Sequence, residues 1–128
     1  MLQLPSFPTT WGQKIYKYSQ SKLILAKEGN FLFVHAGFND FAQDPYSDIH
    51  GMIWECRTFY NNPELRTKTI IHGHRPKKPE FIEKLISENS RVIPIDTGCV
   101  YVDEQGYGYL SALDVGAMKL ISVENNYP

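Results

Sequence analysis

The sequence predicts a single mixed α/β domain in which strands outnumber helices, and three features indicate it. Several short apolar runs have the length of strands and end at Gly, Asn or Asp residues. One segment, which starts at Pro79, has the apolar spacing of an amphipathic helix. The chain has 128 residues, of which 42% are hydrophobic, enough for one core but hardly for two. We therefore expect one domain over residues 1–128, with an extended lead-in over residues 1–20.

The first predicted elements are two strands in the segment SKLILAKEGNFLFVHAG. Glu28, Gly29 and Asn30 are turn-forming residues, so the runs on either side of them are expected to pair as a hairpin. The run 31–34 has no polar alternation, which predicts a strand that is buried on both faces.

The remaining elements follow from the same patterns. The run KTIIHGH is predicted as another short buried strand, and a short helix is expected around residues 52–60. Pro79 suits the first turn of a helix through PEFIEKLISENS. The runs RVIPIDTGCVYV, GYLSALDV and MKLISVE are expected as three strands of an antiparallel meander.

Charge and cysteine content exclude several classes of partner. Lys and Arg number 13 and Asp and Glu number 14, so the net charge of -1 predicts no nucleic-acid and no membrane partner. Cys56 and Cys99 fit neither a disulfide framework nor a zinc cluster of paired cysteines. No run approaches membrane-spanning length and no secretory leader is recognisable. We therefore expect a cytoplasmic protein with reduced thiols.

Two histidines stand at the ends of predicted strands. His35 ends FLFVH before Ala36 and Gly37, and His74 follows a glycine in IIHGHRP. Neutral imidazole is a common metal ligand, and we interpret the small residues after His35 as room for an ion or a phosphate. The alternative is a hydrogen-bonded core histidine at each place. His72 is expected on the same strand face as His74, where it either shares a metal or faces a polar boundary.

The motifs FVHAGF, IIHGHRP and IDTGCVY…YLSALDV, in this order, resemble the C-terminal half of the calcineurin-like metallophosphoesterases. The similarity covers about residues 21–115 and is greatest to the bacterial and phage phosphoprotein phosphatase branch, which includes diadenosine tetraphosphatase relatives. It implies a four-layer β-sandwich flanked by helices and two metal ions, typically manganese, iron or zinc, in the complete domain. It also implies His35 and His74 as metal ligands, and a phosphorylated protein or a nucleotide as substrate.

The resemblance further implies an arginine that holds the substrate phosphate. Arg57 in MIWECRTFY is the candidate, although it stands one residue further from Trp54 than in the family pattern. Arg75 directly follows the GH motif and either reaches the phosphate or faces solvent. Asp96 in IDTGC either accepts a hydrogen bond from the other ring nitrogen of a ligand histidine or caps the following turn.

The family's motifs GD-x-HG, GD-x-VDRG and GNHE are not in place in this sequence. The stretch SDIHG, residues 47–51, imitates the first of them but follows HAG instead of preceding it, so we interpret it as a coincidence in a loop. We therefore predict no catalytic residue in this chain, a partial domain without activity alone, and a divalent metal in the complete domain, while this chain by itself binds either one ion or none. The alternative is a non-enzymatic β-rich module that binds a partner. For a partial domain an exposed apolar face is expected, so the chain should self-associate, swap elements or pack against another protein.

Overall fold

The computed structural model describes residues 25–127, so the predicted lead-in over residues 1–20 lies outside the described part. The mixed α/β class is confirmed. The nine residues of α2 make it the longest described helix, and no helix of residues 25–127 is long and apolar enough to cross a membrane. In chain order the elements are β1 (Leu25–Glu28), β2 (Phe31–Val34), α1 (Ile49–Trp54), β3 (Thr69–His72), α2 (Pro79–Ser87), β4 (Val92–Pro94), β5 (Tyr109–Asp114) and β6 (Lys119–Glu124).

The main sheet has four strands in the order β1-β2-β3-β4. The predicted hairpin of β1 and β2 is confirmed, and Gly29 occupies its turn with a φ of 58°. Strands β2, β3 and β4 run parallel to one another. Their carboxyl ends therefore meet at one edge of the sheet, which is where open α/β sheets hold ligands.

The last three predicted strands do not form a meander, so that prediction is wrong. Strand β4 pairs in parallel with β3, and only β5 and β6 pair with each other, as a separate two-stranded sheet. Parallel neighbours need a crossover connection, and α2 supplies it between β3 and β4.

The two helices were predicted with different success. Helix α2 starts with Pro79 in its first turn, as the sequence indicates, and ends at Ser87. Helix α1 covers Ile49–Trp54, so the prediction of a helix around residues 52–60 was wrong in both limits. The reason is a local cap, because the Asp48 carboxylate accepts a hydrogen bond from the Gly51 amide at 3.0 Å and fixes an earlier start.

Strand β2 is not buried on both faces as predicted. Leu32 and Val34 are buried, whereas Phe31 and Phe33 are half-buried and stack with 6.1 Å between their ring centroids. Alternate residues of a strand face opposite sides of the sheet, and one side here has less cover than the other.

The core has two hydrophobic clusters, one for each face of the main sheet. The larger cluster packs α1 and the loops around it against the face that carries Leu32 and Ile70. The smaller cluster joins Ile82 of α2, Ile93 of β4 and Leu120 of β6. Helix α2 and the β5–β6 hairpin are therefore held to the edge of the sheet formed by β4.

Candidate functional site

His35 and His74 meet at the carboxyl edge of the main sheet, and we call them the histidine pair. His35 directly follows β2, and His74 lies two residues after the end of β3. The His35 Nε2 and His74 Nδ1 atoms are 3.0 Å apart, with 4.9 Å between the ring centroids. The predicted convergence of the two rings is confirmed. This distance allows a hydrogen bond between the two rings, whose direction depends on their tautomers.

The backbone at His74 has an unusual conformation. Its φ is 74°, a region that residues other than glycine adopt rarely and at a cost of order 1–3 kcal/mol. The Arg75 amide donates to the Gly73 carbonyl at 2.9 Å, which closes a tight three-residue turn around His74. The Gly73 amide donates to the His35 carbonyl at 2.8 Å and anchors this turn to the end of β2. The strained turn aims the His74 ring at His35.

The nitrogens of the histidine pair lie close to the spacing of two neighbouring ligands of one metal ion. A tetrahedral zinc ion with Zn–N bonds of about 2.0–2.1 Å holds two imidazole nitrogens about 3.3–3.4 Å from each other. The observed 3.0 Å is shorter, so the two nitrogens would move apart by about 0.3–0.4 Å to share one zinc ion. Within residues 25–127 no group of three or more His, Cys, Asp and Glu side chains could hold a metal ion. This part of the chain therefore offers two ligands, and the metal role of both remains a prediction.

Asp96 lies beside the histidine pair but has a structural hydrogen bond of its own. All three residues line one open groove of about 370 Å³ at the carboxyl edge of the sheet. The Asp96 Oδ1 atom accepts a hydrogen bond from the Gly98 amide at 2.9 Å. The turn-capping alternative is thus present, and the anchoring of a ligand histidine by Asp96 stays a prediction.

The small residues after His35 serve packing, so the interpretation that they leave room for a ligand is wrong. Ala36 is fully buried, and its amide donates to the Met52 carbonyl at 2.9 Å. A Cβ atom at Gly37 would lie 2.5 Å from the Tyr60 hydroxyl and closer still to the Glu55 carbonyl oxygen. These residues are small because the loop after β2 lies directly against the segment after α1.

His72 differs from the histidine pair in its surroundings. Strand β3 ends at His72 and the chain turns at His74, so the predicted strand through His74 and a shared face for both residues are wrong. His72 is only 7% exposed, and its Nδ1 lies 3.0 Å from the Gly73 carbonyl oxygen. Burial lowers the pKa of His72, so the folded structure favours its neutral form.

The two predicted phosphate-binding arginines lie together, but in a different cavity. Arg57 and Arg75 line a cleft of about 310 Å³. His72 lines both this cleft and the groove of the histidine pair, and it therefore lies between the two cavities. The Arg57 Nε atom is buried without a hydrogen-bond partner in the described part, 3.8 Å from Glu55 Oε2. The Arg57 guanidinium also lies 5.1 Å from the centre of the Phe41 ring.

Residues 49–51 of the segment 47–51 belong to α1, so the predicted loop is wrong for them, and the interpretation of the motif as a coincidence stays a prediction. The Asp48 carboxylate caps α1 and also accepts a hydrogen bond from Asn39 Nδ2 at 3.0 Å. These bonds, the Gly51 amide first, lower the pKa of the Asp48 carboxyl group. Its oxygens are therefore engaged in local structure.

Sequence reasoning missed two neighbours of the site. Trp54 is 58% exposed, and its ring stands at 87° to His74 with 5.7 Å between the ring centroids. The Cys56 thiol donates to the Ala36 carbonyl at 3.3 Å, and burial raises the pKa of this thiol. No periodic pattern marks either residue, since only the fold brings the end of α1 next to the end of β3.

Comparisons of this chain with protein-family models, with curated proteins and with solved structures found no match. The site geometry and the sequence motifs therefore carry the functional argument.

Proposed function

We propose that this chain supplies the histidine ligands of a metal-dependent phosphoester hydrolase of the calcineurin-like type. The observation that carries the proposal is the 3.0 Å contact between His35 Nε2 and His74 Nδ1. The pair stands at the carboxyl ends of adjacent parallel strands, and a strained turn orients one of its members. The four-stranded and two-stranded sheets are compatible with part of a four-layer β-sandwich flanked by helices, which we propose as the fold of the complete domain.

The chemistry of the proposed site is divided between residues of this chain and groups from elsewhere. A bound manganese, iron or zinc ion would polarise a phosphoryl oxygen and activate water. The histidine pair would hold the ion through neutral imidazoles, and Arg57 or Arg75 would donate paired hydrogen bonds to a phosphate. Two-metal hydrolysis also needs carboxylate ligands and an acid, which we expect from the N-terminal half of the complete domain, because residues 1–24 contain no Asp, Glu or His. Cys56 and Cys99 are free thiols, which favours a cytoplasmic location.

A zinc titration tests the metal part of the proposal directly. Zinc would be added to the full chain in competition with a chromophoric chelator. We expect one zinc ion per chain, and binding at least about tenfold weaker in His35→Ala or His74→Ala, because one imidazole then remains. His50→Ala is the matched control, since His50 is exposed on α1. Equal affinity of wild type and both site variants would refute a metal role of the histidine pair.

A second candidate function is a non-enzymatic interaction module, and one feature of the β5–β6 hairpin favours it. Leu110, Ile121 and Val123 are 66%, 52% and 64% exposed. Leu110 lies opposite Val123, and Ile121 lies opposite Ala112, so these side chains form one apolar strip on one face of the hairpin. We propose a second copy of the chain as its partner.

A further inference from the structure

Two adjoining cavities along β3 and β4 form one groove. The first is the 310 Å³ cleft with Arg57 and Arg75, which lies toward the carboxyl ends of these strands. The second has about 270 Å³ and lies toward their amino ends. Both cavities are lined by Thr58, Ser90 and Val92, where they meet. We call the two together the basic groove.

The basic groove concentrates positive charge that the composition does not reveal. None of the chain's 14 Asp and Glu residues lines either cavity. Within residues 25–127, the only ion pair of a groove cation joins Arg57 to Glu55, at 3.8 Å. Cations gathered around a cleft raise the local concentration of anions even when the net charge of the protein is near zero. Six of the chain's 13 Lys and Arg residues line the groove: Arg57, Arg66, Lys68, Arg75, Lys77 and Arg91.

One nitrogen among these cations lacks a hydrogen-bond acceptor in the described part of the chain. The Arg57 Nε atom is buried and has no hydrogen-bond acceptor within residues 25–127. A buried donor without an acceptor is costly and therefore uncommon in native structures. Because the Nε atom itself is buried, an anion in the groove would supply the acceptor only if the Arg57 side chain, which is 34% exposed, turned toward the groove.

The placement of the cations selects a long ligand over a compact one. Arg66, Lys68 and Arg91 lie before the starts of β3 and β4, whereas Arg75 and Lys77 lie after the end of β3. The four residues of β3 alone span about 10 Å at 3.3 Å per residue. A single phosphate cannot contact both ends at once, but a chain of phosphates can.

Each half of the groove also has an exposed aromatic ring. Phe59 lines the amino-end cavity and is 65% exposed, and Phe81 lines the carboxyl-end cavity and is 47% exposed. Proteins that bind single strands combine a basic groove for the backbone with aromatic side chains on which bases stack. The bases of a duplex are paired and stacked, so they are not available to such rings. An acidic peptide carries negative charge but has no bases that could stack on Phe59 and Phe81.

We infer that the basic groove binds single-stranded nucleic acid, with phosphates on its cations and bases on Phe59 and Phe81. This inference does not depend on the metal role of the histidine pair. Binding is therefore measured on the full chain with a metal chelator present, by fluorescence anisotropy of a labelled oligothymidylate. Four to six phosphate contacts would lower the affinity about 50- to 300-fold between about 50 and 200 mM salt, since single strands show a slope near -0.7 per contact.

Charge-matched double variants locate the binding. Arg66→Gln with Lys68→Gln tests the amino-end cavity, and Arg75→Gln with Lys77→Gln tests the carboxyl-end cavity. Each should weaken binding about 25-fold at 0.1 M salt and reduce the salt slope by about 1.4, because two contacts are lost. The control variant Lys84→Gln with Lys119→Gln removes two cations that do not line the groove, and it should leave the slope unchanged.

The stacking component and the rival ligands complete the test. Phe59→Ser should weaken oligothymidylate binding about tenfold, while circular dichroism confirms that each variant is folded. The inference is overturned if no binding occurs, or if the control variant weakens it as much as the groove variants. Equally tight binding of adenosine monophosphate would show a mononucleotide pocket, and equally tight binding of polyglutamate would show a site for acidic peptides. Either result would also overturn it.

Discussion

The substitution Gly37→Ala tests why a glycine stands two residues after His35. The added methyl group would lie 2.5 Å from the Tyr60 hydroxyl and closer still to the Glu55 carbonyl oxygen. Neither neighbour can move freely. The Tyr60 hydroxyl accepts the Phe38 amide at 3.0 Å, and the Glu55 amide ends α1 through a 2.9 Å bond to the Gly51 carbonyl.

The size of the effect follows from these contacts. Adding one methylene to a packed core costs typically 1–3 kcal/mol. Because the nearest atom belongs to the backbone, we expect about 3 kcal/mol or more for Gly37→Ala. For a domain of this size that lowers the melting temperature by about 10 °C. Gly73→Ala is the matched control, since its Cβ would lie at 3.6 Å from the His35 carbonyl oxygen and 3.7 Å from Asp96 Cβ, both ordinary contacts.

Urea unfolding followed by circular dichroism measures both variants. We expect Gly73→Ala to stay within about 1 kcal/mol of wild type and Gly37→Ala to lose several times as much. If Gly37→Ala were as stable as wild type but bound zinc more weakly, the glycine would be leaving room for a ligand after all. The packing explanation would then be refuted.

Three further predictions address the tyrosine beside the site, the assembly of the chain and its activity. Burial raises the pKa of Tyr60 to about 12, so the unfolded chain ionises first and stability should fall as the pH rises from about 10 toward 12. Tyr60→Phe should lower the free energy of unfolding by about 1–3 kcal/mol at pH 8, because the Phe38 amide loses its acceptor. In urea unfolding, the stability of Tyr60→Phe should also fall less steeply with rising pH than that of the control variant Tyr101→Phe. The exposed strip on the hairpin should produce dimers in sedimentation velocity that Val123→Thr weakens, and a clean monomer over a wide concentration range would contradict this. The chain should hydrolyse an aryl phosphate negligibly in the presence of manganese, because it lacks the acid–base catalyst, which alone contributes about 10²–10⁴-fold to the rate. Robust turnover that His35→Ala abolishes would contradict a partial site.

The sequence was most informative where local rules decide the structure. Gly29 fixes the turn of the first hairpin, and Pro79 fixes the start of α2. The approach of His35 and His74 was also predictable, because two apolar strands that end in histidine carry these residues to one edge when they run parallel. The sequence could have indicated the parallel pairing of β4 as well, since a helix lies between β3 and β4.

Other features required the tertiary structure, because they depend on contacts between distant segments. Nothing near Gly37 in the sequence shows that Glu55 and Tyr60 occupy the space where its side chain would be. The sequence also does not show the strained turn that orients His74, since this turn directs the ring toward His35, which lies 39 residues away in the chain.

Charge shows the same division most clearly. By itself the sequence determined a net charge of -1, and from that sum no polyanionic partner was expected. Only the fold decided that cations from four separate chain segments line one groove that no Asp or Glu lines, although Glu55 lies 3.8 Å from Arg57. Electrostatic attraction falls with distance and is screened by salt within about 10 Å, so the local arrangement of charges, and not their total, decides what such a groove can bind.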